Sequence, residues 1–67
     1  MKLEYDKSAD AAYIYLQFPI KEGEVKKTVE FKHNIILDFN AKNKLLGVEI
    51  LNASKMLTKE SLLKNVG

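Results

Sequence analysis

LLGVEILNAS, residues 45–54, is the stretch of sequence that decides the fold. Its apolar Leu46, Val48 and Ile50 alternate with Gly47 and Glu49. A period of two is typical of a β-strand with one buried face. The alternation predicts a strand over the first seven residues of the stretch. The polar residues that follow can satisfy backbone N–H groups where the chain must turn.

Four further strands are predicted upstream, because the same alternation recurs between turn-forming residues. They cover residues 2–5, 11–18, 25–31 and 35–39. Pro19 ends the second of them, since proline cannot donate to a strand ladder. His33 and Asn34 are predicted to form a tight hairpin turn, and Asn43 the left-handed position of the next turn.

The pattern changes at Thr58, which is predicted to cap a short C-terminal helix. Leu57 before the cap and Leu62 inside the helix form a hydrophobic staple, and Leu62, Leu63 and Val66 make an apolar stripe. The predicted fold class is therefore α+β. It is an antiparallel β-meander of four to five strands with one short C-terminal helix packed on one face.

The composition excludes several kinds of site. The 67 residues have room for one small domain, residues 1–67. There is no cysteine and a single histidine, His33, which excludes disulfides, thiolate metal sites and imidazole clusters, and no cofactor is predicted. Every one of the 11 basic residues is lysine, which disfavours nucleic acid as a partner because arginine is the usual reader of phosphate and guanine. No signal peptide or membrane-spanning run is seen, so the expected location is the cytoplasm.

The sheet face opposite the helix is unusually apolar. It carries Tyr13, Tyr15, Ile36 and Leu51, and exposed apolar surface of this extent typically marks an interface. A small domain without disulfides also gains stability from association. We therefore expect a homodimer, or a complex with a small protein partner, formed through these four residues.

Two blocks of the chain resemble a known family. The pattern Tyr-Asp-x-x-x-Asp-Ala-x-Tyr-Ile, then Ile-Leu-Asp, then Leu-x-Gly-x-Glu-Ile-Leu-Asn-Ala-Ser, resembles the domain of unknown function numbered 2283, over nearly all of the chain. The family consists of short prokaryotic proteins, and the resemblance implies no activity. Some members are encoded beside small toxin-like proteins, which implies an antitoxin-like partner role. The polar residues of the motif are Asp6, Asp10, Asp38, Glu49, Asn52 and Ser54.

The chain departs from the family pattern in the hairpin between its last two strands. An acid and a glycine of the pattern are replaced by Asn40 and Asn43. Asn43 keeps the left-handed conformation accessible, so the turn is expected to survive. If relatives hold a cation in this loop, this chain is not expected to do so.

The motif carboxylates have two interpretations. If Asp6, Asp10 and Glu49 converge, they would form an oxygen-ligand site or an acid–base pair in a ligand-binding protein or enzyme. Alternatively, Asp6 and Asp10 cap turns, while Asp38 and Glu49 occupy solvated strand positions. We favour the second interpretation, because the spacing fits no calcium loop.

A serine nucleophile is not expected either. Ser54 would need a nearby base, and His33 is predicted in a turn at the far end of another strand. The sequence therefore predicts a non-enzymatic protein-interaction module, with no catalytic residue assigned.

Overall fold

The computed structural model describes residues 1–64, so the predicted place of Val66 in the helix lies outside the described residues. Five strands and two short helices follow one another along this part of the chain. They are β1 (Lys2–Asp6), β2 (Ala11–Tyr15), β3 (Lys27–Lys32), β4 (Ile35–Phe39), β5 (Leu45–Leu51), α1 (Ala53–Met56) and α2 (Lys59–Lys64).

The five strands form one antiparallel sheet in the order β1-β2-β5-β4-β3, which confirms the α+β class. The order departs from a continuous meander at one place, because β2 pairs with β5 and not with β3. The burial of the strands gives the reason. Leu46 and Gly47 of β5 are buried, which suits the centre of the sheet, whereas every residue of β3 is exposed, which suits an edge.

Two predicted strands are shorter than expected. β2 ends at Tyr15, because the backbone N–H groups of Leu16 and Gln17 both donate to the carbonyl oxygen of Leu46, at 2.9 and 3.2 Å. This shared acceptor ends the regular ladder three residues before the predicted limit at Phe18. The third strand begins at Lys27 and not at residue 25.

The predicted asparagine turns are confirmed. Asn34 has a φ of 75° and Asn43 a φ of 61°, in the left-handed region that asparagine tolerates. Asn40 stands where the resemblance led us to expect an acid, and its Oδ1 accepts from the N–H groups of Lys42 and Lys44, both at 2.9 Å. The amide oxygen thus organises this turn without a negative charge.

The core lies on one face of the sheet, under the helices. Its buried cluster consists of Ala12, Ile50, Ala53 and Leu62. Six half-buried side chains pack against this cluster: Leu3, Tyr5, Ile14, Ile35, Val48 and Leu57. The burial of large apolar side chains is therefore concentrated where the helices meet β2 and β5.

The C-terminal segment contains two helices where one was predicted. α2 is the predicted one, and the hydroxyl of Thr58 accepts from the N–H of Ser61 at 3.1 Å, as a helix N-cap does. α1 is a single turn that starts after Asn52, which has a φ of 52°. None of the helices in residues 1–64 is long and apolar enough to cross a membrane. The cytoplasmic location stays a prediction.

The adjacent leucines of α2 provide a matched test of the core. Leu62 is 7% exposed and Leu63 is 67% exposed. We expect Leu62→Ala to lower the free energy of unfolding by about 2–5 kcal/mol, because it removes buried methyl groups and leaves a cavity. We expect Leu63→Ala to change it by less than about 0.5 kcal/mol. Urea unfolding followed by circular dichroism measures both, and equal effects would contradict the packing of α2 described above.

Candidate functional site

The six polar motif residues separate into two groups. Asp6, Asp10, Asn52 and Ser54 lie where the β1–β2 turn meets the start of α1, at one end of the sheet. Asp38 and Glu49 lie within β4 and β5, on the sheet face opposite the core. The proposed trio of Asp6, Asp10 and Glu49 is thus divided between the two groups.

Asp10 joins the two sequence blocks. Its Oδ1 accepts from the hydroxyl of Tyr5 at 2.8 Å and from the N–H of Ser54 at 2.9 Å, and its Oδ2 accepts from the hydroxyl of Ser54 at 2.7 Å. Its backbone carbonyl accepts from the N–H of Ala53 at 2.8 Å. Asp10 therefore caps α1 from 44 residues away in sequence, and we call this group of hydrogen bonds the Asp10 clasp.

The clasp holds Asp10 in its ionised form. Hydrogen bonds from the Ser54 hydroxyl, the Tyr5 hydroxyl and the Ser54 N–H lower the pKa of the Asp10 carboxyl below its ordinary value. The same contact with Asp10 raises the pKa of Tyr5. A carboxylate with three donors and a depressed pKa is a poor proton acceptor, so its role here is structural.

Asp6 organises the β1–β2 turn. Its Oδ1 accepts from the N–H and the hydroxyl of Ser8, at 3.1 and 2.8 Å, and from the N–H of Ala9 at 3.3 Å. The hydrogen bond from the Ser8 hydroxyl is the main cause that lowers the pKa of Asp6. This is the turn-capping interpretation of the sequence.

The His33 turn is closer to α1 than the sequence indicated. The side-chain amide of Asn52 donates to Oδ1 of Asn34 at 3.1 Å, and the N–H of Leu51 donates to the carbonyl of Asn34 at 2.9 Å. The expectation that His33 lies at the far end from Ser54 is therefore wrong, since β4 begins where β5 ends. The hydroxyl of Ser54 nevertheless donates to Asp10, so the structure shows no Ser–His pair among the described residues.

The sheet face opposite the core carries the predicted tyrosines, and we call it the tyrosine face. Pairing between strands aligns its residues in two rows across the sheet. One row contains Glu4, Tyr13, Glu49, Ile36 and Glu30, and the other contains Lys2, Tyr15, Gly47, Asp38 and Thr28. Leu51 lies on the same face, opposite Ala11.

Tyr13 reaches across the central strand. Its hydroxyl donates to Oδ2 of Asp38 on β4 at 2.7 Å, and the hydroxyl of Thr28 on β3 donates to Oδ1 of the same carboxylate at 2.8 Å. Burial and then the hydrogen bond to Asp38 raise the pKa of Tyr13 well above its ordinary value. The ring passes over Gly47 of β5, where a Cβ would overlap it.

Tyr15 continues this network to the other edge of the sheet. Its ring centroid lies 4.7 Å from that of Tyr13 and 5.1 Å from that of Phe18. Its hydroxyl donates to Oε1 of Glu4 at 2.7 Å, which raises the pKa of Tyr15. Lys2 lies over the Phe18 ring at 4.2 Å and 3.8 Å from Glu4. Side-chain contacts therefore run from Thr28 on β3 to Glu4 on β1.

An open depression of about 610 Å³ lies beside this network, at the β1–β2 side of the sheet. It is lined by Lys2, Leu3, Glu4, Tyr5, Asp6, Ala11, Ala12, Tyr13 and Glu49. Within residues 1–64, the side chains of His, Asp and Glu form no group of three or more that could hold a metal ion. The lining of the depression combines the carboxylates of Glu4, Asp6 and Glu49 with the rings of Tyr5 and Tyr13.

The sequence analysis missed Glu4, Thr28 and Tyr5, which complete the two networks. Their partners lie in other strands, and alternation does not reveal which strands are neighbours. Gly47 was a usable signal. A glycine inside a strand marks a bulge or the close approach of another group, which here is the Tyr13 ring.

The Asp10 clasp predicts how stability depends on pH. The pKa of Asp10 is lower in the folded protein than its ordinary 3.8, so its contribution is present above that pH and is lost as the pH falls through the folded-state pKa. Asp10→Asn keeps an oxygen acceptor and tolerates the φ of 50° but removes the charge. We expect its urea midpoint to fall less steeply with acidification than that of the wild type. An identical acid slope would contradict the clasp.

A second variant separates charge from geometry at the same position. Asp10→Ala removes all three side-chain hydrogen bonds and places an alanine at positive φ. We expect it to be less stable than Asp10→Asn at neutral pH as well as in acid, measured by the same urea titration. Equal stability of the two variants would show that the acceptor oxygens do not matter.

The crossing of Tyr13 over Gly47 predicts a coupling between these residues. We expect Gly47→Ala to lower the free energy of unfolding by about 1–3 kcal/mol, because the new methyl group meets the ring. In a Tyr13→Ala background the same substitution should lower the free energy of unfolding by less than about 1 kcal/mol. The double-mutant cycle should therefore show that the two substitutions are not additive. Additive effects in urea unfolding would contradict the close approach.

Comparisons with known proteins match the part of the chain that contains both sequence blocks. The chain is 39% identical to an uncharacterized protein from Methanocaldococcus jannaschii, in an alignment covering 98% of this chain and 54% of the relative. The chain thus spans about half the length of that relative. No solved structure matches this chain. The profile of the family described as "Protein of unknown function (DUF2283)" matches residues 2–54, so the chain belongs to the DUF2283 family.

Proposed function

We propose that this protein is a non-enzymatic interaction module whose tyrosine face binds a basic surface of another protein. The observation that carries the proposal is the side-chain network that crosses the sheet from Thr28 on β3 to Glu4 on β1 through the half-buried rings of Tyr13 and Tyr15. Because hydrogen bonds already hold these side chains in place, little conformational entropy would be lost when a partner binds.

The charge of the tyrosine face supports a basic partner. By strand register the face carries Glu4, Asp6, Glu30, Asp38 and Glu49, with Lys2 beside Glu4, although the whole chain has a net charge of +2. A carboxylate-rich patch attracts lysine and arginine side chains, and aromatic rings add cation–π contacts. Lys2 over the Phe18 ring is an intramolecular example of such a contact.

The carboxylates do not favour the alternative of a metal-binding protein or enzyme that uses Asp6, Asp10 and Glu49. Asp10 accepts hydrogen bonds from Tyr5 and Ser54, and Asp6 accepts them from donors in its own turn. Glu49 faces Tyr13 across the β2–β5 pair. Asp6 and Glu49 both line the depression beside the tyrosine network, whereas Asp10 does not, so the three carboxylates do not converge in it. This arrangement favours a binding role of the surface as a whole.

The proposal is tested by placing a photo-crosslinking amino acid on the tyrosine face in native cells. Positions 36 and 51 are suitable, because Ile36 is half-buried and Leu51 is 37% exposed on that face. We expect both positions to capture the same protein, with a basic contact surface, and capture should weaken at high salt. Position 41, in the exposed β4–β5 turn, is the matched control.

The control and a charge variant decide the outcome. Glu49→Lys should reduce capture at position 36 without altering the circular dichroism spectrum, because it inverts one charge of the face. Capture of the same products at positions 36, 51 and 41, or no capture at 36 and 51, would overturn the proposal. An antitoxin-like role would show as a single captured protein encoded beside this one.

A further inference from the structure

The helix-bearing side of the sheet has an apolar area that the helices do not cover. It consists of Val29 on β3 and Leu37 on β4, which pair with each other, and of the neighbouring Phe31 and Phe39, and we call it the β3–β4 patch. Val29 is 38% exposed and Phe31 is 62% exposed, while Leu37 and Phe39 are half-buried. In a monomer, these large apolar side chains stay partly in contact with water.

The place of the patch in the sheet explains why it is open. Val29 pairs with Leu37, and Leu37 pairs in turn with Val48. Val48 and its partner Ile14 pack against the core cluster, so Val29 and Leu37 lie on the core face. α1 packs on β2 and β5, and Leu62 of α2 joins the cluster of Ala12 and Ile50 on the same strands. Among residues 1–64, the helices thus lie over the β2–β5 half of the face and not over β3 and β4.

The total surface area of the chain is larger than that of a compact monomer of the same mass. A compact monomer of 7.6 kDa exposes about 4,300 Å². This protein exposes 4975 Å², which is larger by about 700 Å². A standard protein–protein interface buries about 800 Å² on each partner. The flat shape, with extents of 34 × 24 × 17 Å, agrees with a half-layer that another molecule can complete.

We propose that a second copy of this chain covers the β3–β4 patch, so that two protomers pack with their core faces together about a two-fold axis. An apolar patch is complementary to itself across such an axis, as an isologous dimer requires. The tyrosine face does not meet this requirement, because two copies would oppose Glu30, Asp38 and Glu49 to like charges.

The edge of the sheet is a poorer site for self-association than the patch. The two edge strands are β1 and β3. β3 carries Lys27, Glu30 and Lys32, with an irregularity in register at Phe31, and β1 carries Lys2, Glu4 and Asp6. Charged residues and bulges on an edge disfavour the addition of a further strand. Lys27 lies 5.3 Å from the centre of the Phe39 ring, so its alkyl chain borders the patch while its charge can remain in water.

The dimer is independent of the partner-binding proposal, since it uses the opposite face. Sedimentation equilibrium of the purified protein, from low micromolar to submillimolar concentration, is expected to show twice the monomer mass. Phe31→Lys and Val29→Lys are expected to raise the dimer Kd by roughly tenfold or more each, because they place a charge in the apolar contact. Both positions are exposed in the monomer, so the fold should persist.

Leu51→Lys is the matched control, since Leu51 is 37% exposed, like Val29, but lies on the tyrosine face. It should leave the dimer Kd unchanged. A wild-type protein that stays monomeric throughout, or a dimer that Leu51→Lys weakens and the two β3 variants do not, would overturn the inference. Circular dichroism and urea midpoints of all four proteins confirm that loss of mass reports dissociation and not unfolding.

Discussion

The carboxylate of Asp10 accepts three hydrogen bonds from groups that belong to distant parts of the chain, and the arrangement of the core depends on them. They join the β1–β2 hairpin, through Tyr5, to the first turn of α1, through Ser54. Ala53 of that turn is fully buried beside Ala12. A four-residue helix is too short to be stable alone. Its position therefore comes from the clasp and the contact of Ala53, and α2 follows from there to place Leu62 on the sheet.

The central strand imposes a second constraint, because its two faces need different residues. Leu46 and Ile50 of β5 are buried on the core side. On the other side Gly47 gives the Tyr13 ring room to cross, so that a hydroxyl on β2 reaches Asp38 on β4. The same strand thus supports an apolar layer below and a hydrogen-bonded aromatic surface above. The second block of the resemblance, residues 45–54, coincides with β5 and the start of α1.

Local properties of the sequence were sufficient to predict most elements and several turns. The period-two alternation located all five strands, and the tolerance of asparagine for positive φ located the turns at Asn34 and Asn43. Neighbours in space were not predictable in this way. Alternation assigns a residue to a face but does not say that β2 lies beside β5. α1 was missed because the acceptor that caps it is 44 residues away, and Ser54 alone resembles an ordinary turn residue.

The two sides of this sheet differ in the kind of contact they can make, and the size of the chain explains the difference. With 67 residues and only ten of the described residues in helices, the protein cannot cover the full width of a five-stranded sheet. On the tyrosine face the large side chains satisfy one another through hydroxyl–carboxylate hydrogen bonds, so this face is stable in water and carries charge. On the core side Val29 and Phe31 have no such polar groups, so contact with further apolar surface is the way to remove them from water. The proposed self-complementary contact on one side would leave the charged side free for a different molecule.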